Sequence, residues 1–415
     1  MKKSYLLSFA VMIALLSCSV PATVSSGSAS DKGSENSNSK LILSKKITQE
    51  IAEQTRIEPE TISSLDRFFK QSITELGSDG DNYVFSPLSY YLGLSSLYSL
   101  SEDENQKTIS SLNANSKSDL KKLSGDVAKR VFSGTGYEIH SQTANLIIDD
   151  ADAFDDEAKS QITDELFCSY LGRNYSESEL NEWVSSYSGG VLSEYQGPEI
   201  EKGTTTFLNG VYFDMPYETA FDEEKDRFLP WSGKGNYRFM HGETSTRYAY
   251  KSDSYDAFEL SLSDYPYKIR FVQPHGKSLR EFFDKNVFSA CFIQPPTSAR
   301  SMQFVTMPYV YFSSHIDLLP LAKKQGFFSS EEEIIYRNVD FAPKTLIQST
   351  TMQFAQTGVR AISITQESLI PAEQPELSFV LDSPYAFEIL GRDNLILFHG
   401  EISTLEALAT SESAF

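Results

Sequence analysis

The stretch from Gln356 to Pro375 combines the pattern of a buried strand with that of an exposed loop. It reads QTGVRAISITQESLIPAEQP, and proline, which is excluded from central strands, is absent from Gln356 to Ile370. In an extended chain, successive side chains of its first half would point to opposite faces. One face would carry only small or β-branched residues: Val359, Ala361, Ser363 and Thr365. Pro371 and Pro375 then flank a short polar segment that is typical of an exposed loop. The fold must therefore accommodate one segment that is suited both to a sheet interior and to the surface.

The size and charge of the chain limit the classes of function. Its 415 residues, of which 40% are hydrophobic, can bury the core of one large domain or of two or three smaller ones. A formal net charge of -21 argues against a nucleic-acid partner, because phosphate binding needs clustered lysine and arginine. Neither the three cysteines nor the five scattered histidines have the spacing of a zinc site or a disulfide framework. We therefore expect no metal and no cofactor.

The N-terminus has the form of a signal peptide over residues 1–17. Lys2 and Lys3 precede an apolar run that is too short to span a membrane as a stable helix. The residues that end at Cys18, LLSC, resemble the bacterial lipobox, in which the cysteine is acylated and becomes the mature N-terminus. The alternative is an ordinary secretory signal that is cleaved nearby. We predict an extracytoplasmic protein, lipid-anchored to a bacterial membrane through Cys18 or otherwise secreted, with a flexible polar tether over residues 18–44 and one folded domain over residues 45–415.

Hydrophobic periodicity predicts helices early in the chain and strands late. Apolar residues from Ile57 to Leu76 recur mostly at intervals of three and four, which indicates a helix. Tyr83 to Phe85 forms a short apolar strand, and Ser86 with Pro87 can begin a second helix as cap and first residue. The strand candidates are most frequent in the second half. This order favours an α+β fold with antiparallel or mixed sheets.

Enzyme motifs are missing from the sequence. It contains no GxSxG nucleophile elbow, no GxxxxGK phosphate loop and no GxGxxG dinucleotide motif. Paired carboxylates are frequent in so acidic a chain, and their proximity in sequence therefore says nothing about a glycosidase pair. We expect no catalytic residue and no enzymatic activity.

Several segments, in order along the chain, together resemble the serpins, the family of serine-protease inhibitors that insert a cleaved loop into their own sheet. NYVFSPLS (Asn82 to Ser89) resembles the early N-x-x-FSP-x-S segment of that family, and LNEWVSSYSGGVL (Leu180 to Leu192) is similar to the helix that crosses the central sheet. Three further matches come later in the chain: LNGVYFDMPY, MPYVYF and the pair SPYAFEIL with LILFHGEI. The resemblance implies helices packed around a large central mixed β-sheet plus smaller sheets, with an exposed reactive loop.

The resemblance also assigns a role to the opening stretch. Gln356 to Glu373 take the place of the reactive loop, and its hinge would comprise Gln356, Gly358, Val359, Arg360, Ala361, Ile362, Ser363, Ile364 and Thr365. A hydrogen-bonding cluster that opens the sheet would comprise Ser86, Ser89, Asn209 and Gln348, with glutamine where the family usually has histidine. Gln356 and Tyr309 stand where the family often has a glutamate and a lysine. Hydrogen bonds between uncharged groups would then hold the point where the loop enters the sheet, or that point would be held less tightly.

The predicted function is suicide-substrate inhibition of a serine protease by a monomer. If the resemblance holds, the family spacing counted from Gly358 places the reactive bond between Ala372 and Glu373, whereas the family spacing counted back from Phe379 and Pro384 places it after Ile370 or Pro371. A small residue after proline and aliphatic residues suits the specificity pocket of an elastase-like or subtilisin-like protease. The alternative is a non-inhibitory serpin that acts as a binding or structural module, because bulkier hinge residues slow insertion.

Overall fold

The computed structural model describes residues 40–77, 80–101, 106–135, 138–195, 197, 199–203, 205–298, 302–328, 346–359 and 377–405. For four further short strands, Met12–Ile13, Leu15–Ser17, Ile334–Tyr336 and Val339–Phe341, it describes the backbone pairing alone. The α-helices of the described chain are Gln49–Gln54, Pro59–Leu76, Pro87–Leu100, Gln106–Ser111, Lys117–Val131, Asp156–Asp164, Glu177–Tyr187, Leu279–Phe283 and Leu319–Lys324. None of these helices is long and apolar enough to cross a membrane.

Local sequence explains where the main helices begin. Pro59 occupies the first turn of helix Pro59–Leu76, where a missing N–H does no harm. The Ser86 hydroxyl accepts a hydrogen bond from the Ser89 N–H at the start of helix Pro87–Leu100, which confirms the predicted cap. Ser176 and Glu179 form a capping box before helix Glu177–Tyr187. That helix ends at Tyr187 rather than at Leu192, since Gly189 and Gly190 have positive φ.

One large mixed sheet is formed by strands that continue one another along the chain. Ser169–Gly172 pairs in parallel with Leu146–Asp149, which pairs antiparallel with Thr205–Leu208. The next strands extend these two along the sheet, because Glu138–Thr143 pairs with Val211–Phe213 and the Ala144 N–H donates to the Gly210 carbonyl at 2.8 Å. The far side of the sheet is the antiparallel pair Val310–Asp317 and Ile347–Ala355.

The gap in the large sheet between strands Val211–Phe213 and Ile347–Ala355 has room for one strand. The backbone of Met12–Ile13 pairs with Tyr212 and Phe213, and Leu15–Ser17 pairs with residues 347–349 of the opposite strand. Nearer the top of the sheet, Gly358–Val359 lies between Met215–Pro216 and the end of Ile347–Ala355. The large sheet can therefore hold one more strand in this gap, antiparallel to both of its neighbours.

The folded chain begins before the predicted end of the tether. Leu41–Ile42, within the predicted 18–44 tether, pairs antiparallel with Leu171 and Tyr170 at the edge of the large sheet. The Lys40 N–H also donates to Glu179 Oε1 at 2.7 Å. We call Leu41–Ile42 the N-terminal edge strand. The predicted boundary at residue 44 is therefore too late, because a run of only three apolar residues was not recognised as a strand.

A second sheet of nine strands packs with the helices into the main core. Its order is Ser378–Val380, Met302–Pro308, Lys234–Lys251, Tyr255–Ser261, Lys268–Pro274, Tyr385–Leu390, Ile396–Ile402 and Tyr83–Phe85, with Arg227–Trp231 paired to Lys234–Lys251. Helix Pro87–Leu100 is buried on almost every side, as expected for a helix in the centre of a core. The helices and mixed sheets confirm the α+β architecture that the resemblance implied.

Candidate functional site

The hinge glycine lies in a short strand, Gly358–Val359, which we call the hinge strand. It turns back from Ile347–Ala355 through Gln356 and Thr357, so that Val359 pairs with Phe354 and Gly358 pairs with Ala355. On its other side it pairs antiparallel with Met215–Pro216. A Cβ at Gly358 would lie 2.5 Å from the Met215 carbonyl oxygen and 2.6 Å from Pro216 Cα. The close approach of the two backbones therefore requires glycine at this position.

Val359, which replaces the family's threonine or serine, is fully buried. It belongs to the main hydrophobic cluster together with Met215 and Phe354. The Phe354 ring in turn packs edge-on against Phe387, with centroids 5.1 Å apart. The first residue after the hinge glycine thus adds apolar contacts within the sheet, and its larger side chain is accommodated there.

Backbone hydrogen bonds hold the turn that precedes the hinge strand. The Tyr217 N–H donates to the Thr357 carbonyl at 3.0 Å, and the Phe221 N–H donates to the Gln356 carbonyl at 2.9 Å. The Gln356 backbone, rather than a charged side-chain pair, therefore fixes this corner.

Tyr309 takes part in a different network from the one that its alignment with the family's lysine implied. Its hydroxyl donates to Asp226 Oδ2 at 2.8 Å, and the Arg238 guanidinium lies 5.1 Å from the centre of its ring. Arg238 also binds Asp226 and Glu223, both at 2.7 Å. Burial, followed by the hydrogen bond to Asp226, raises the pKa of Tyr309, and its hydroxyl stays protonated as a donor.

The predicted sheet-opening cluster is brought together by the fold. The Ser86 N–H donates to Gln348 Oε1 at 2.6 Å, and Gln348 Nε2 donates to the Ser86 carbonyl at 3.1 Å. The Ser89 hydroxyl donates to the Asn209 carbonyl at 2.8 Å. All four residues are buried. Gln348 thus joins strand Ile347–Ala355 to the start of helix Pro87–Leu100 through two bonds to the Ser86 backbone, and it does so without a titratable group.

Strand Ile347–Ala355 presents two different faces beside this cluster. Its residues are alternately buried and half-buried, and the buried face is formed by Gln348, Thr350, Met352 and Phe354. The Thr350 hydroxyl is buried and has no hydrogen-bond partner in the described chain. A strand that continued from Val359 along this neighbour would alternate in the same way.

The remaining predicted site residues lie outside the described residues. They are Arg360, Ala361, Ile362, Ser363, Ile364, Thr365, Ile370, Pro371, Ala372, Glu373 and Cys18. The described chain has no group of histidine, cysteine and acidic side chains that could hold a metal ion.

Sequence reasoning missed one structural partner of the hinge strand and the bond that Tyr309 makes. Met215–Pro216 was assigned only to a resemblance segment, although its backbone forms one wall of the hinge strand. The bond between Tyr309 and Asp226 was missed because the two residues are far apart in sequence, and an acidic chain offers many carboxylates. Pro216 is the last residue of its strand, a position that tolerates the missing N–H of proline. The sequence was therefore compatible with a short strand that ends at this proline.

Comparison with known proteins agrees with this geometry. A family model described as serpin (serine protease inhibitor) matches residues 66–405. No curated protein sequence matches the chain. Among solved structures, the native state of the thermophilic serpin tengpin is 18% identical, with a TM-score of 0.64, over 88% of this chain and 96% of that one.

Two further solved structures extend the same likeness. Arabidopsis AtSerpin1 in its native stressed conformation is 18% identical, with a TM-score of 0.65, over 84% of this chain and 99% of that chain. Human thyroxine-binding globulin, solved in complex with thyroxine, is 15% identical, with a TM-score of 0.66, over 83% of this chain and 98% of that chain. At these identities the structures show the fold, and the family model shows the family. The chain belongs to the serpin family.

Proposed function

We propose that this serpin inhibits a serine protease as a suicide substrate, and that its cleaved loop enters the large sheet as a new strand. Membership of a family of inhibitors rather than enzymes supports the general class of activity. The observation that carries the specific mechanism is the hinge strand. Gly358–Val359 already pairs with Met215–Pro216 on one side and with Phe354 and Ala355 on the other. Insertion would extend this existing ladder rather than start a new one.

The register of the hinge strand defines the orientation of each inserted residue. Because Val359 pairs with Phe354, continuing the antiparallel register places Ala361 opposite Met352, Ser363 opposite Thr350 and Thr365 opposite Gln348. These three neighbours form the buried face of their strand. The small or β-branched loop residues would therefore point inward, and Ser363 would stand opposite the unpartnered Thr350 hydroxyl. Arg360, Ile362 and Ile364 would point outward.

The N-terminal segment supports the existence of a place for the loop. The backbone of Leu15–Ser17 runs antiparallel to residues 347–349, the direction that an inserted loop would take. We propose that residues 1–17 are removed as a signal peptide, in which case the mature protein leaves this place to the loop. We further propose that Cys18 is acylated and that the protein is held outside a bacterial cell by this lipid anchor.

In the proposed reaction the serine of the target protease attacks the carbonyl carbon of Ala372. The Ala372–Glu373 peptide bond breaks, an ester forms at Ala372, and Glu373 leaves with a protonated amine. The segment from Gly358 to Ala372 spans roughly 46 Å at about 3.3 Å a residue, which is long enough to carry the attached protease along the sheet. The energy would come from completing the sheet.

The residues before the proposed cut site favour an elastase-like or subtilisin-like protease. Leu369, Ile370 and Pro371 lead to the small side chain of Ala372, which fits a small apolar pocket. The alternative cut after Ile370 would place Pro371, with its fixed φ and no N–H, directly beyond the bond, an arrangement that serine proteases cleave poorly.

Denaturing electrophoresis after incubation with pancreatic elastase or subtilisin tests the proposal. We expect a band that resists denaturation and contains both the protease and the N-terminal part of the chain. Mass spectrometry of the released C-terminal peptide should give Glu373 as its first residue. The same protease inactivated at its serine is the control and should give no such band. Complete cleavage without a covalent complex would refute the inhibitory mechanism.

The second candidate function is a non-inhibitory serpin. Val359, Ile362 and Ile364 are larger than the residues usual after the hinge glycine, and slow insertion lets the ester hydrolyse before the protease is trapped. A serpin solved with bound thyroxine also lies among the structural relatives. Cleavage without trapping in the experiment above is the result that this candidate predicts.

A further inference from the structure

A cavity of about 690 Å³ lies between residues 43–50, strand Glu138–Thr143 and the end of helix Glu177–Tyr187. Four of the residues that line it are aromatic: Phe132, Phe167, Trp183 and Tyr187. The volume falls within the range of about 300–1,000 Å³ that is usual for small-molecule sites, and aromatic walls offer stacking contacts to a planar ligand. None of the described hinge or sheet-opening residues lines this cavity.

One buried amide lining the cavity has no partner. Asn145 is 3% exposed, and neither its Oδ1 nor its Nδ2 has a hydrogen-bond partner in the described chain. Other polar groups of the lining are already occupied: the Gln142 amide donates to the Tyr187 carbonyl, and the Ser169 hydroxyl accepts from the Ser44 N–H. Leaving a buried amide unpaired costs free energy. The ligand that would best satisfy Asn145 therefore has a hydrogen-bond donor and an acceptor side by side.

Charge at the cavity is balanced. Two lysines, Lys45 and Lys46, and two glutamates, Glu50 and Glu138, belong to the lining. An anion would meet the glutamates and leave the Asn145 Oδ1 without a donor, whereas a cation would leave Nδ2 without an acceptor. The balance favours an uncharged ligand.

We propose that this cavity binds a neutral planar aromatic carboxamide or lactam. Its carbonyl would accept from Asn145 Nδ2 and its N–H would donate to Asn145 Oδ1, while its ring would lie among the four aromatic side chains. The site does not share a lining residue with the described hinge or sheet-opening cluster, and binding does not depend on the proposed inhibition of a protease.

Ligand-observed nuclear magnetic resonance with 2-naphthamide tests the site. Methyl 2-naphthoate is the matched probe, because it keeps the ring and the carbonyl but has no N–H to donate. We expect the amide to bind the wild-type protein about tenfold more tightly or better, since one buried acceptor would stay unpaired in the ester complex. Asn145→Leu should abolish this preference, and Asn286→Leu, at an exposed asparagine, should preserve it.

Two results would overturn the proposal: the wild-type protein binds neither probe, or it binds both with equal affinity. Asn145→Leu should unfold at the same temperature as the wild type or at a higher one, because it removes an unpaired buried amide. If that variant does not fold, the side-chain amide resonance of Asn145 in the wild type decides. The proposal requires that resonance to shift on titration with 2-naphthamide, and to do so at a concentration about tenfold or more below the one that the ester needs.

Discussion

Gly358 lies where the backbone of the hinge passes directly over Met215 and Pro216. Glycine is therefore required here by close packing between two strands rather than by an unusual dihedral angle. The sequence alone indicated a glycine that could bend the chain, and the family resemblance assigned it to the hinge. The close approach itself could not be predicted, because Met215 and Pro216 are far from Gly358 along the chain.

We predict that Gly358→Ala lowers the free energy of unfolding by about 1–3 kcal/mol, the usual effect of overpacking a close contact. Its Cβ would lie 2.5 Å from the Met215 carbonyl oxygen, and one of the two backbones must move. Urea denaturation followed by circular dichroism measures the change. Gly242→Ala is the matched control: it is also a strand glycine, but its added Cβ would meet only Phe221, at 3.5 Å. An equal effect of the two substitutions would contradict this account.

Gln348 carries the contact between strand Ile347–Ala355 and the start of helix Pro87–Leu100. We predict that Gln348→Met destabilises the protein by about 1–3 kcal/mol, because the buried Ser86 N–H would lose its acceptor and the Ser86 carbonyl would keep only its helical bond from the Tyr90 N–H. Gln353→Met lies on the half-buried face of the same strand and should change the free energy of unfolding by about 0.5 kcal/mol or less. Equilibrium urea unfolding compares the two, and similar losses would argue against the role of Gln348.

Strand Ile347–Ala355 is the element whose alternation would set the orientation of an inserted loop. Its buried residues follow a strict period of two, and the hinge strand joins it in antiparallel register. The period of two in residues 359–365 was visible in the sequence, and it predicted which loop residues share a face. The small side chains already favoured the face of Val359 as the inward one, and the burial of Val359 and its pairing with Phe354 support that choice for an inserted strand.

We predict that Ser363→Arg and Ile364→Arg have opposite outcomes although they are neighbours. The first would bring an unpaired charge against Thr350 and should lower the yield of covalent protease complex by roughly tenfold or more, because burying an uncompensated ion costs several kcal/mol. The second would place the same charge on the outward face and should leave the yield within about twofold. Quantitative electrophoresis with elastase measures both yields. Loss of complex in both variants would contradict the proposed register.

The N-terminal edge strand extends the large sheet by one strand. The sequence did not reveal Leu41–Ile42 as a strand, because a run of three apolar residues beside a serine-rich and asparagine-rich tract gives no period. Its docking depends on tertiary bonds, among them that of the Lys40 N–H to Glu179. Burial would raise the pKa of Glu179, but hydrogen bonds from Lys40 and Ser176 outweigh this effect and lower it below its usual 4.5.

A lowered pKa means that the folded state favours the carboxylate of Glu179. Its stabilising contribution is therefore complete above about pH 4.5 and is lost as the pH falls through the lower folded-state pKa. At pH 7, Glu179→Gln retains one acceptor oxygen for the capping box but loses the other, and we predict roughly 3- to 10-fold faster amide hydrogen exchange in residues 40–44. Glu177→Gln, in the same helical turn, should leave this exchange unchanged. Equal exchange in all three proteins would refute the contribution of Glu179.

The whole molecule is described best as a large sheet with a place for one more strand. The family match over residues 66–405 could be expected from the sequence, since the resembling segments occur in the right order along the chain. The place itself could not, because it is defined by strands on either side that are more than a hundred residues apart. At this scale we propose that cleavage of the loop completes the sheet.

The melting temperature before and after loop cleavage tests this claim most directly. The protein is cut with a catalytic amount of a protease between Leu369 and Gln374, the chain remains associated, and thermal unfolding is followed by circular dichroism. Inserting a strand adds a full ladder of hydrogen bonds and buried side chains, and we predict a rise of roughly 10 °C or more, since about 1 kcal/mol corresponds to about 2–4 °C in domains of 150–250 residues. An unchanged or lowered melting temperature after complete cleavage would contradict loop insertion.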